Sequence, residues 1–156
     1  GYVFFVNGGV QTLASNGLSS EAEPEEARES LPDEHLDFFQ ALDRYVISEH
    51  FVFFHAGLIP IRDLRNQLYD DLFWIRDECI HNLHYFKKTI VFGHTPFEDV
   101  LFHLPYKIGI DSGLVYGNAL TAIELKEEQV IQIPSGTSDI EEFTFKQKGG
   151  LWPKLG

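Results

Sequence analysis

Three short apolar runs, each stopped by a histidine or an aspartate beside glycine, limit what this chain can fold into. Phe51-Val52-Phe53-Phe54 ends at His55-Ala56-Gly57. Thr89-Ile90-Val91-Phe92 ends at Gly93-His94-Thr95-Pro96, and Lys107-Ile108-Gly109-Ile110 ends at Asp111-Ser112-Gly113. Runs without polar alternation suit strands covered on both faces, as in the parallel part of an α/β sheet. The Gly and Pro that follow end each strand at once. Ligands gather at the carboxyl ends of strands in open α/β sheets. The pattern therefore predicts a crevice at one sheet end, with His55 and His94 facing it.

Other elements fit around these strands. Ser30-Leu31-Pro32-Asp33-Glu34 reads as a helix start, with Ser30 as cap and acids in the first turn. Leu36, Phe39, Ala41, Leu42 and Tyr45 carry the helical spacing on, which predicts a helix over about 32–44. Leu64 to Leu83 is largely helical in pattern, and Ala119 to Leu125 with Val130 to Ile133 reads as a hairpin. Asn7-Gly8-Gly9 is a turn signal. Residues 15–30 are polar and acidic, a solvated loop or frayed helix. The stretch after Pro134 is polar and Gly-rich and predicts a loosely ordered tail over 135–156, outside a domain part at 1–134.

Charge and cysteine content exclude several functions. The net charge is −12, from 24 acidic and 12 basic residues. A general nucleic-acid binder or anionic-membrane binder needs a positive surface, so neither is expected. A phosphate substrate stays compatible, because a metal ion and one Arg can reverse the local field. The single cysteine, Cys79, allows no internal disulfide and suits a reducing, cytoplasmic setting. No apolar run approaches the ~18 residues of a membrane span. The opening Gly1-Tyr2-Val3-Phe4-Phe5 has no Met and no signal-peptide pattern, and reads as the inside of a domain.

The chemistry centres on three residues. Imidazole is a borderline-soft ligand suited to Mn, Fe, Zn or Ni. Taken singly, His55 or His94 is more often a satisfied polar residue near the core than a ligand; their matched strand-end context strengthens the case for a shared metal, though two ligands alone do not make a site. Arg76, in Asp71-Leu72-Phe73-Trp74-Ile75-Arg76-Asp77-Glu78, offers a guanidinium fork that matches phosphate oxygens. Its alternative is a surface pair with Asp77 or Glu78. Asp111 either orients a ligand histidine or starts a turn. His81 and His84 lie three apart on the predicted helix and could bind a metal together, but are expected instead to be exposed. Cys79 is expected to pack rather than react. His35, His50 and His103 have no matching context.

These motifs also resemble a known family. Phe53-Phe54-His55-Ala56-Gly57-Leu58-Ile59-Pro60 resembles the HAG(I/L)xP motif of the phosphoprotein phosphatases, within the calcineurin-like metallophosphoesterases. Asp71 to Glu78 resembles their DLLWIRDE segment, and Val91-Phe92-Gly93-His94-Thr95-Pro96-Phe97 their VFGHTPF motif. Ile108 to Gly113 with Val115-Tyr116-Gly117 is similar to IGIDTGAVYG, Leu120 to Leu125 to the closing hairpin strand, and Asn7-Gly8-Gly9 with Thr12-Leu13 to NGGxxTL. The likeness runs in family order from about residue 3 to 133, nearest to bacterial and phage-type serine/threonine protein phosphatases. Symmetrical diadenosine tetraphosphatases are relatives.

The resemblance implies the C-terminal half of the metallophosphoesterase β-sandwich, flanked by helices in α-β-β-α layers. It implies that His55 and His94 bind one metal of a divalent pair, Mn favoured over Fe or Zn, and that Arg76 binds the substrate phosphate. The implied reaction is phosphomonoester hydrolysis by metal-activated hydroxide, on a phosphoprotein or a nucleotide polyphosphate. The family's Asp-x-His, Gly-Asp-x-x-Asp-Arg and Gly-Asn-His-Glu motifs precede NGG, and none stands before Asn7-Gly8-Gly9 here. The chain alone is therefore expected to be inactive, with the front half of the same domain as its partner. The alternative is a non-enzymatic binding module on a phosphatase scaffold.

Overall fold

A computed structural model describes residues 2–153. The chain divides into two compact units after Asp43.

The first unit is helical: α1 (Tyr2–Phe4), a π-helical turn (Phe5–Gly9), α2 (Val10–Ser15), α3 (Pro24–Ser30) and α4 (Asp33–Ala41). Asn7-Gly8-Gly9 kinks a helix, with Gly8 at φ 94°, which glycine adopts without penalty. Ser30 does not cap α4. Its hydroxyl donates to the Ala27 carbonyl at the end of α3, and Pro32 occupies the cap position. α4 stops at Ala41, and Tyr45 belongs to the next strand.

The second unit holds the predicted strands. β1 (Tyr45–Ile47), β2 (Phe51–Phe54), β3 (Thr89–Phe92), β4 (Leu101–His103) and β5 (Lys107–Gly109) form one sheet in the order β1-β2-β3-β5-β4. β2, β3 and β5 are parallel; β1 and β4 flank them antiparallel. Register aligns Val52 with Ile90 and Ile90 with Lys107, while Phe53, Val91 and Ile108 form the next row. Successive side chains alternate between faces. Val52, Phe54, Ile90 and Phe92 accordingly pack with Leu58, Leu72 and Cys79 from the β2–β3 connection. Val91 and Ile108 pack on the opposite side with Val130 and Phe145. Both faces are covered, as the unbroken runs predict.

Val130 belongs to a second sheet, β6 (Ala119–Glu124), β7 (Gln129–Pro134) and β8 (Glu141–Thr144), antiparallel throughout. The α/β class and the sandwich are as expected, with helices against one sheet face.

The β2–β3 connection is not one helix. It breaks into α5 (Tyr69–Trp74) and α6 (Asp77–His81), with Ile75 extended and Arg76 at φ −133°, ψ −95° between them. The expectation of a loose tail after Pro134 is also corrected. Glu141–Thr144 pairs with β7, and Phe145 is wholly buried, so apolar burial fixes this segment. Trp152 is half-buried, and residues 154–156 lie outside the described residues. No helix among the described residues is long and apolar enough to cross a membrane.

Candidate functional site

The parallel strands β2, β3 and β5 deliver His55, His94 and Asp111 to the same sheet end. The Gly93 N–H donates to the His55 carbonyl at 2.8 Å, which ties the two strand ends together. The Thr95 N–H donates to the Gly93 carbonyl at 2.7 Å, closing a γ-turn with His94 at its apex, φ 65°. A side-chain-bearing residue held there costs roughly 1–3 kcal/mol, and such strain concentrates at functional sites. The turn re-aims His94 toward His55, and the ring centroids are 4.9 Å apart.

Nε2 of His94 is buried and has no hydrogen-bond partner among the described residues. Buried polar atoms are nearly always paired, so this nitrogen stands open to a hydrogen-bond partner or a cation. Burial pushes the His94 imidazole below the usual histidine range; Arg76 and then His55 push it the same way, while Asp111 opposes them. The ring is thus held neutral, the form that ligates metal. The field of Arg76 at His94 places all three sequence-derived site residues in one neighbourhood.

Arg76 is exposed, and it makes no ion pair with Asp77 or Glu78 among the described residues, so its fork is free for an anion. Asp111 plays the turn role: its Oδ1 accepts the Gly113 N–H at 2.9 Å. Its charge also reaches His94.

Two aromatic residues frame the pair, and the sequence pattern alone did not single them out. The Trp74 ring meets His94 edge-on, with centroids 5.6 Å apart at 88°. Phe73 lies 6.1 Å from His55. Their signal was position, two and three residues before Arg76 in a motif already in hand.

The remaining histidines do not join the site. His84 is not exposed, as helical spacing had suggested. α6 ends at His81, and the chain then turns His84 inward, where its ring nitrogen Nε2 lies 2.7 Å from the Tyr106 carbonyl. His81 stays exposed against the Asp77 carbonyl. Cys79 is buried in the core as predicted, and burial raises its thiol pKa.

Among the described residues, no group of three or more His, Cys, Asp or Glu side chains is placed to hold a metal ion. Two imidazoles, one with an unpartnered buried nitrogen, fit a borderline divalent ion but do not complete its coordination sphere.

Comparison with known proteins agrees with this architecture. No family model matches the chain. Over 53 residues, 34% of the chain, it is 40% identical to the asymmetrical bis(5'-nucleosyl)-tetraphosphatase PrpE of Geobacillus thermodenitrificans, of which it covers 21%. A crystal structure provisionally described as a diadenosine tetraphosphatase superposes with a TM-score of 0.56 at 22% identity, over 70% of this chain and 59% of that one. The chain thus spans about a fifth of the curated relative and under two thirds of the solved neighbour, with which it shares an α/β fold.

Proposed function

We propose that the His55–His94 end of the sheet is one part of the metal site of a phosphoester hydrolase acting on nucleotide polyphosphates. The observation that carries this is the convergence of the two imidazoles, 4.9 Å apart, from parallel strand ends. The substrate class rests on what the two similar proteins are called, both of them dinucleoside tetraphosphatases. The order and wording of the motifs favour a second reading, a serine/threonine phosphoprotein substrate.

In this proposal His55 and His94 hold one divalent ion, Mn favoured over Fe or Zn. When bound, such an ion polarises a phosphoryl oxygen and makes water a nucleophile near neutral pH. Arg76 grips the phosphate through its planar fork and neutralises charge as it develops on the non-bridging oxygens. Phe73 and Trp74 stand beside the imidazoles, the Trp74 ring edge-on to His94. The γ-turn at His94 positions its ring before any ligand arrives. The remaining ligands come from a partner segment carrying the Asp-x-His, Gly-Asp-x-x-Asp-Arg and Gly-Asn-His-Glu motifs.

The test is Mn²⁺ uptake by the 156-residue chain, read as loss of the free-ion electron paramagnetic resonance signal. His55→Ala and His94→Ala should each weaken uptake by tenfold or more, on the order of the loss of one ligand. Equal uptake by the wild type and the double variant would overturn the proposal. Supplying the partner segment then separates the substrates: a dinucleoside tetraphosphate should be cleaved faster than a phosphopeptide.

A further inference from the structure

The aromatic wall continues beyond the histidine pair. Tyr69 stands one turn before Phe73 on α5, so the two rings share a helix face. They lie nearly parallel, 5.8 Å apart at 10°. The Arg44 guanidinium sits over the Tyr69 ring, 3.7 Å from its centroid. From Arg44 the series runs through Tyr69 and Phe73 to His55 and His94, with two ring steps between Tyr69 and His55.

Core packing does not account for Tyr69. It is 54% exposed and belongs to neither core cluster. Arg44 is as unusual. The chain has 24 carboxylate side chains against 12 Lys and Arg, yet this guanidinium rests on a ring and makes no ion pair among the described residues. A ring paired with a guanidinium is an exposed, flat, cationic surface. Flat aromatic ligands stack on both components, and the positive charge suits a ligand that also carries phosphates.

We propose that Tyr69 and Arg44 form a nucleobase platform, stacking the base of a nucleotide whose phosphates lie at His55, His94 and Arg76. This rests on the phosphoester reading and names the recognition element within it. Stacking is tolerant of base identity because every base has a π-face. The platform therefore selects nucleotides over inorganic or peptide phosphates without choosing among bases.

The test compares equilibrium binding of ADP and of pyrophosphate to the full chain in Mn²⁺, read by tryptophan fluorescence and calorimetry. Wild type should bind ADP about tenfold more tightly than pyrophosphate, the scale of one base–aromatic stack. Tyr69→Ala should bring that ratio near one while leaving pyrophosphate binding unchanged, which also reports an intact fold. Tyr69→Phe should restore the ratio, and Arg44→Ala should lower it. Equal binding of the two ligands by wild type, with pyrophosphate binding lost in His94→Ala, would overturn the platform and leave the phosphoester site standing. A wild-type preference for ADP that survives Tyr69→Ala would also overturn the platform. Binding of neither ligand would overturn both.

Discussion

Lys107→Met should destabilise the second unit by about 2–4 kcal/mol. Lys107 lies on β5 with its side chain on the helix-covered face, and it is wholly buried. Its ammonium donates to the carbonyls of Cys79, Ile80 and Asn82, at and just past the end of α6. An ammonium has three donors, and each meets one carbonyl. A hydrogen bond from a charged donor contributes about 1.5–3 kcal/mol, so three contribute roughly 5–9 kcal/mol. Burying the charge offsets several kcal/mol of that. Burial holds the Lys107 pKa below its usual value, so this opposing cost is present in the fold. Methionine fills similar volume but leaves three carbonyls at a helix end without a partner. Urea unfolding followed by tryptophan fluorescence isolates the effect, because both tryptophans, Trp74 and Trp152, lie beyond Asp43. The midpoint should fall with the slope unchanged. A change below about 0.5 kcal/mol, the usual spread for surface substitutions, would refute the account of α6 as pinned to the sheet by this ammonium.

Three further outcomes follow from specific contacts. Burial, aided by Lys107, holds the His84 pKa below 6.5 in the fold; the unfolded chain then binds more protons between that lowered value and 6.5, so stability falls as pH drops through this window. Unfolding at pH 7.5 and 5.5 should show the loss, and His84→Leu should lessen it, leaving the share of His94, which burial lowers in the same way. Gly57 sits at φ 142°, and a Cβ there would lie 2.6 Å from Cys79 Sγ; Gly57→Ala should cost about 1–3 kcal/mol, with Cys79→Ala recovering the packing share in a double-mutant cycle. Phe145→Ala should cost about 3–5 kcal/mol, as for a fully buried core ring. A cost near zero in the same urea assay would return residues 141–148 to a loose tail.

β2 and β3 were legible because each lies in a run without polar alternation, and β5 because its run ends at Asp111-Ser112-Gly113 in the same way. The histidine pair was legible because each run stops at a residue that the next element cannot absorb. His55 follows its strand directly and His94 follows after one glycine, an offset that simple register would turn into opposite directions. The γ-turn at His94 removes the offset, and no sequence signal announces a histidine at φ 65°. The break between α5 and α6 was hidden for a related reason: neither Ile75 nor Arg76 is a helix breaker, so apolar spacing runs on through it. His84 was misplaced by extending that spacing past His81, where the chain instead drops inward to the Tyr106 carbonyl.

The C-terminal segment shows the opposite failure. Phe143 and Phe145 alternate with polar residues at strand period, but polar and glycine-rich flanks outweighed a five-residue signal. Lys107 carries a comparable lesson. A lysine opening an otherwise apolar strand has the same parity as Val52 and Ile90 in the neighbouring registers, which assigns it to the helix face. An ammonium on that face must find carbonyl oxygens or stay in water, and the end of a helix is the nearest source of them. α6 begins directly after Arg76, so the residue that anchors the far end of this helix also limits where the fork proposed to bind phosphate can sit. On the proposed role of Arg76, a buried charge one helix length away helps to place the fork, so stability and phosphate affinity should fall together in Lys107→Met.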